Sequence, residues 1–304
     1  MKHKNLLVTL ADEKFIKQAK QLFSSAYFNG GWDGDYMLLS HEIPEIKLKW
    51  FRDKGILIKK CKPLIKGKFG FMSGVVSNKF YLFNEEFKKW KNIVFLDADI
   101  IVKMPLSNLK KIKGFGAAID SPSKLDSQFA KKGSKIRDYN LNTTSFNSGV
   151  FSFNTEIIKK DTFEKIIRLF EKYKNISKVG EQGILNLFFY KKWTSLPTMY
   201  NLYVYKATGC FLFNNKVKGI LHFIGERKPW NKNNPYYREW KSNLRKAELI
   251  DIKKPIKLNK IWTKKQIQNY SRKLIFKMKI YSPIVKLDKL LGKFGIILKK
   301  ISKK

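Results

Sequence analysis

Three stretches of this chain hold residue types whose spacing suits chemistry. The first is Phe95-Leu96-Asp97-Ala98-Asp99-Ile100-Ile101. Two acids separated by one small residue, embedded in apolar sequence, are costly to bury unless paired or placed on a cation. The i, i+2 spacing lets both leave a strand end in one direction, and Ala98 keeps room for a ligand. Hard oxygen donors of this kind suit Mg2+ or Mn2+ holding a diphosphate. A helix cap or a turn is the plainer account of an isolated Asp-x-Asp. The second stretch runs from Leu221 to Trp230: His222 follows apolar residues, Gly225 permits close backbone approach, and Lys228 supplies a cation. An imidazole can complete a metal shell and an ammonium can sit on a phosphate, although a lone histidine is more often structural. The third pairs Phe146-Asn147-Ser148-Gly149 with Gly180-Glu181-Gln182-Gly183. Asn147, Glu181 and Gln182 offer amides and a carboxylate to sugar hydroxyls, with helix capping as the competing role for Glu181.

Such groups work only if strand ends bring them together. The pattern predicts strands over residues 5–10, 36–39, 55–59 and 92–96, the last fully apolar and ending at Asp97. Asp12 caps a helix whose apolar residues Phe15, Ile16, Ala19, Leu22, Phe23 and Ala26 keep the 3.6 period, and Asn29-Gly30-Gly31 stops it. Residues 70–90 read as mostly helical. Further strands are expected over 115–119, 146–153 and 221–223, with helices over 161–174 and 181–191. The polar stretch 121–145, without a sustained period, is expected to be a mobile loop over the site. This alternation predicts an α/β fold with a mainly parallel sheet flanked by helices, whose ligands lie beyond the C-terminal strand ends.

Composition bounds the class. The chain has 304 residues, 43% of them hydrophobic, with 24 Phe, 13 Tyr and 7 Trp. That builds a full core and excludes wholesale disorder. No window approaches the roughly 18 consecutive apolar residues of a spanning helix. The apolar run from Leu6 to Ala11 is too short for a signal-peptide core. Two distant cysteines, Cys61 and Cys210, argue against a disulfide scaffold or a cysteine zinc site and fit a reducing cytoplasm.

The charge is extreme and uneven. Sixty-three Lys+Arg against 24 Asp+Glu leave +39, which favours polyanions or anionic membranes. Residues 241–304 hold 20 Lys+Arg and three acids, a net +17. The organisation read from this is a catalytic domain over 1–240 and a basic, partly amphipathic helical extension over 241–304. Projected as a helix, residues 281–304 place Ile284, Leu287, Leu291, Phe294, Leu298 and Ile301 on one arc and most lysines opposite. Helices of that kind lie in a headgroup layer or pack their apolar stripe on a protein body. With no recognisable nucleic-acid motif, no specific nucleic-acid partner is expected.

Taken together, the three clusters resemble the retaining sugar-nucleotide glycosyltransferases of family 8, the group of glycogenin and the bacterial lipopolysaccharide galactosyl- and glucosyltransferases. The resemblance runs from about Asn5 to Trp230, in the family's order. It implies the GT-A fold, a Rossmann-like sheet, with Mn2+ (Mg2+ as the other candidate) and a UDP-sugar donor. It further implies that Asp97, Asp99 and His222 hold the metal, Ala98 lying between them. By the same resemblance Thr9, Leu10 and Ala11 cradle uracil, and Lys79 lies near the diphosphate and sugar. Asp120 binds sugar hydroxyls, Asn147 matches the family's amide, and Gly225 and Lys228 contact the diphosphate. Gln182 is similar to the residue below the anomeric carbon. One departure stands out: Glu181 replaces the family's Asp, which moves the carboxylate outward by one methylene.

What the resemblance implies is a retaining, Mn2+-dependent hexosyltransferase acting on a saccharide acceptor, lipid-linked or on a surface glycan. It would be cytoplasmic and attached peripherally to an anionic membrane through its C-terminal tail. The other readings are a glycogenin-like initiator that glucosylates itself or another protein, and, from a different class, a basic nucleic-acid-binding protein.

Overall fold

In a computed structural model, residues 5–130, 136–204, 217–259 and 261–279 are described. The first strand, β1 (Leu6–Ala11), is buried along its whole length. Asp12 follows and accepts from the Phe15 amide through its side chain, as a capping residue should. A short 3-10 turn then leads into α1 (Ile16–Phe28), which buries Ala19, Leu22, Phe23 and Ala26. Gly31, at φ +56, turns the chain after it. Then come β2 (Asp35–His41), α2 (Glu45–Asp53), β3 (Leu57–Cys61) and a two-rung hairpin of β4 (Lys68–Phe69) and β5 (Met72–Ser73).

The stretch expected to be mostly helical folds instead as two 3-10 segments, Gly74–Phe83 and Glu85–Lys89. Six of the seven residues from Ser77 to Phe83 are buried, so contacts on several sides, rather than one amphipathic stripe, set their path. Next, β6 (Asn92–Leu96) is wholly buried and β7 (Ile100–Val102) continues after Asp97-Ala98-Asp99. Two long strands, β8 (Phe115–Lys124) and β9 (Thr144–Asn154), follow. After them lie α3 (Thr162–Tyr173), α4 (Glu181–Phe188), β10 (Trp193–Leu196), β11 (Leu202–Tyr203), β12 (Ile220–His222) and α5 (Tyr237–Lys246). Residues 264–279 are helical.

Seven strands form one sheet in the order β10-β8-β9-β6-β1-β2-β3. All neighbours are parallel except at β9, which runs antiparallel to both β6 and β8. A small sheet, β11-β12-β7, stands beside it, with β12 antiparallel to β7. The antiparallel insertion has a use: it delivers the start of β9, residues 147–149, to the same end of the sheet where β6 releases Asp97. Part of the segment expected to be a loop over 121–145 is structured, since β8 runs on to Lys124 and Phe129 bridges Ser177.

Two apolar layers cover the sheet. One packs α1, α5 and the small sheet on a face carrying Leu7, Leu38, Val94 and Val150; the other packs α3 and α4 on Leu6, Val8, Phe95 and Phe151. The proposed boundary at residue 240 falls inside α5, and Trp240, Ala247, Ile250, Ile267 and Leu274 pack into the first layer. The amphipathic segment 281–304 lies outside the described residues.

Phe115 is the hinge of an aromatic stack, with Phe189 at 4.0 Å, Phe146 at 5.1 Å and Phe151 at 5.3 Å between ring centroids. Phe115→Ala is expected to lower stability by about 3–5 kcal/mol, read as a drop in the urea midpoint with the slope unchanged.

Candidate active site

The site is assembled where β6 ends, where β9 begins and where β12 returns. Leu96 is the last residue of an apolar strand, so Asp97 is the first side chain able to leave the core. Its amide donates to the Gly149 carbonyl at 2.8 Å, tying the end of β6 to β9. Two residues on, Asp99 meets β12: the Phe223 amide donates to its carbonyl at 3.1 Å. His222 is thereby brought over both acids. Its Nε2 lies 3.3 Å from Asp99 Oδ1 and 3.8 Å from Asp97 Oδ2. One ligand atom from each of the three residues lies within 4.8 Å of the others.

Two carboxylates and an imidazole are a donor set for a divalent cation, and the surroundings fit that use. His222 Nδ1 sits 2.9 Å from Asn201 Oδ1. An amide oxygen only accepts, so Nδ1 carries the proton and the Nε2 lone pair faces the acids. Gly149 leaves the space: a Cβ there would fall 2.2 Å from His222 Cε1 and 2.9 Å from Asp97 Oδ2. Any other residue at 149 would push into the group. Ala98, 6% exposed, stays out of the way.

Cations flank the acids on two sides. Lys228 Nζ lies 2.6 Å from Asp99 Oδ2 and donates to the Phe223 carbonyl at 2.7 Å. Burial would raise the Asp99 pKa, but His222, in its protonated form, and Lys228 outweigh it and hold the carboxyl well below the usual carboxylate range. Lys79 is buried, with Nζ 2.9 Å from Asp97 Oδ1 and 2.7 Å from Glu181 Oε1. Burial alone would lower its pKa; Asp97 and Glu181 reverse that and keep the ammonium above the ordinary lysine value. Burial pushes Glu181 upward and Asp97 adds to the push, while Lys79 and Ser148 oppose them.

The sugar-binding candidates form one connected set. Gln182 Nε2 donates to Asp120 Oδ2 at 2.8 Å, and Asn147 Nδ2 donates to Gln182 Oε1 at 2.8 Å. Glu181 departs from its expected place. It is 2% exposed and engaged by Lys79 and by the Ser148 hydroxyl at 2.8 Å. Thr9 likewise commits its hydroxyl to the Leu96 carbonyl at 2.8 Å, while Leu10 and Ala11 are buried at the end of β1. Gly225 holds φ +75, yet a Cβ there would meet nothing within 4 Å; the backbone angle, not crowding, calls for glycine.

Several members of the site went unnoticed in the sequence. Tyr203 donates to Asp120 Oδ1 at 2.7 Å, and Gln128 Nε2 donates to Oδ2 at 3.2 Å. Asn201 links His222 to Asn147. Asn201 ends a 3-10 turn and Tyr203 a two-residue strand, both too short to carry a period that would flag them. Ser148 lies within Phe146-Asn147-Ser148-Gly149, and only its contact with Glu181 reveals its use.

The family model described as glycosyl transferase family 8 matches residues 70–234. This span holds every site residue named above except Thr9, Leu10 and Ala11. The chain belongs to that family, and its fold is GT-A. It is 24% identical over 242 residues to glycosyltransferase GlyF of Streptococcus pneumoniae serotype 4 (strain ATCC BAA-334 / TIGR4), covering 74% of this chain and 57% of GlyF. It is 29% identical over 155 residues to lipopolysaccharide 1,2-glucosyltransferase of Escherichia coli, covering 46% and 44%. The chain thus spans less than two thirds of the length of these relatives. The galactosyltransferase LgtC, solved with donor and acceptor sugar analogues, shares the fold with a TM-score of 0.61 at 15% identity, over 81% of this chain and 96% of LgtC.

Lys79 holds two acids that, among the described residues, have no other cation as near. Lys79→Met is expected to cost about 3–5 kcal/mol, because it leaves buried carboxylates unpaired. Adding Glu181→Gln should recover part of the loss. Urea unfolding of the two variants checks both signs.

Proposed function

We propose that this chain is a Mn2+-dependent, retaining hexosyltransferase that moves a hexose, galactose or glucose, from a UDP-sugar to a saccharide acceptor. The acceptor we favour is a lipid-linked or surface glycan. The observation that carries the reading is the convergence of Asp97, Asp99 and His222, with Nε2 free to ligate, beside Lys228. Two oxygen donors and one nitrogen donor suit Mn2+ better than Mg2+, which prefers oxygen alone. When bound there, the cation would supply electrophilic help to a departing diphosphate.

The chain's own residues would do the rest. Lys228 would share the charge gathering on UDP, and Gly225 would leave its backbone clear beside the phosphates. Asp120, half-buried and oriented by Gln182 and Tyr203, would accept from sugar hydroxyls. Leu10 and Ala11, with Thr9, would form the floor beneath uracil.

Retention needs either a protein nucleophile or attack from the face that UDP leaves. Two side chains stand where a nucleophile would be sought. Gln182 Oε1 already accepts from Asn147 Nδ2 and the Ser148 amide at 2.8 and 3.0 Å, and an amide is a poor nucleophile. Glu181 is buried against Lys79. Neither is free to attack, which favours same-face transfer, with a leaving phosphate oxygen taking the acceptor's proton.

Attachment to an anionic membrane surface at the cytoplasmic face belongs to the same reading. Residues 261–279 carry Lys264, Lys265, Arg272, Lys273, Lys277 and Lys279 and no acid, and they expose Ile275 and Phe276. Among the described residues no helix is long and apolar enough to cross a membrane. The chain is expected to co-sediment with anionic phospholipid vesicles and not with neutral ones, and to be released by salt.

For the chemistry, a screen of UDP-hexoses with Mn2+ should show donor hydrolysis or transfer, abolished by a chelator and restored by added Mn2+. Asp99→Asn is expected to reduce turnover to background. Undiminished turnover in that variant would refute the site assignment.

A further inference from the structure

The polar groups behind the metal site share one direction. Asp120 accepts from two amides and a phenol. A carboxylate only accepts, so Gln182 must present its NH2 group to Asp120 and its oxygen to β9. There the Ser148 backbone N–H donates to Gln182 Oε1 at 3.0 Å and fixes that orientation. Asn147 must then give its NH2 group to Gln182, leaving Oδ1 as an acceptor. The Gly149 backbone N–H donates to that Oδ1 at 2.9 Å and fixes it in turn. Asn201 Nδ2 donates to the same oxygen at 2.8 Å. Asn201 Oδ1 is therefore left for His222, whose Nδ1 must be the donor.

No link can be reversed on its own. Exchanging O and N in either amide would set an N–H against a backbone N–H. Asn201, 3% exposed, is the junction: one end decides the His222 tautomer, the other abuts the amide that orients Gln182.

We propose that Asn201 is a positioning residue that serves both halves of the site. Its oxygen holds His222 with Nε2 open toward Asp97 and Asp99, and its NH2 group holds the Asn147–Gln182–Asp120 line that faces the sugar. This inference rests on the metal-dependent transferase reading above. Outer partners of ligating histidines are worth roughly 10–100-fold in metal affinity or activity.

The two roles separate in two substitutions. Asn201→Ala removes both. Asn201→Asp keeps an acceptor for His222 Nδ1–H but has no N–H for Asn147. The test uses the full chain and two readouts: Mn2+ affinity by titration calorimetry without donor, and kcat and KM for UDP-hexose hydrolysis at saturating Mn2+. Asn201→Ala is expected to weaken Mn2+ binding about 10–100-fold. Asn201→Asp should retain Mn2+ affinity within about threefold, yet lose roughly tenfold or more in kcat/KM. Equal Mn2+ affinity in wild type and Asn201→Ala, or equal losses of Mn2+ affinity in the two variants, would overturn the proposal. Should Asn201→Ala fail to fold, the split between metal affinity and hydrolysis in Asn201→Asp decides alone. Asp99→Asn is the reference. If it too binds Mn2+ like wild type, the metal site itself is wrong; if it loses Mn2+ while Asn201→Ala does not, only the role of Asn201 falls.

Discussion

Three carboxylates close together in a largely desolvated place repel one another, and the architecture around the site answers that constraint. Asp97, Asp99 and Glu181 are held by Lys79 on one side and Lys228 on the other, with His222 between. A carboxylate moved from water into such surroundings loses several kcal/mol of solvation unless a cation or hydrogen bonds replace it. The replacements come from separate parts of the chain: Lys79 from the 3-10 segment before β6, the Ser148 hydroxyl from β9, His222 from β12 and Lys228 from the return after it. Each of these side chains stands against an acid it neutralises or hydrogen-bonds. Lys79, though buried, is thus first of all a counter-charge for the protein's own acids.

The same constraint accounts for the antiparallel strand in an otherwise parallel sheet. A crossover helix would bring the next strand's C-terminal end to the site. Running β9 the opposite way brings its beginning, and with it Asn147, Ser148 and Gly149. Those residues offer two backbone N–H groups and a glycine to a crowded corner. The glycine is sterically required, since β9 passes so close to His222 that a methyl group would overlap the ring.

Much of this was legible from residue types, and the limits have physical causes. The apolar strand ending at Asp97, the Asp12 cap and the periodic face of α1 are local patterns, and local patterns survive folding. Asp97, Asp99 and His222 could be named together because the motifs around them follow one another as in family 8, and the structure brings their ligand atoms within 4.8 Å of one another. What escaped was set by tertiary contact. The segment 70–90 follows 3-10 geometry because contacts on several sides shape it. The β8 extension to Lys124 depends on pairing with β9. The boundary drawn at residue 240 from charge density fell inside α5, because basic charge marks a surface and not the end of a core. Asn201 and Tyr203 carry no pattern at all; only the bonds they make give them meaning.

Neutral amides are a physically apt choice for the line from His222 to Asp120. A charged residue at Asn147 or Asn201 would add a further ion to a site already holding four acids and two lysines. An amide adds none. Its oxygen and nitrogen differ in donor character, so it passes on orientation without passing on charge. Two backbone N–H groups, from Ser148 and Gly149, anchor the direction at both joints. Because peptide donors cannot flip, the His222 tautomer is set by main-chain geometry several residues away. The His222 end and the Asp120 end of the line are then ordered from one place, the backbone of β9 at Ser148 and Gly149.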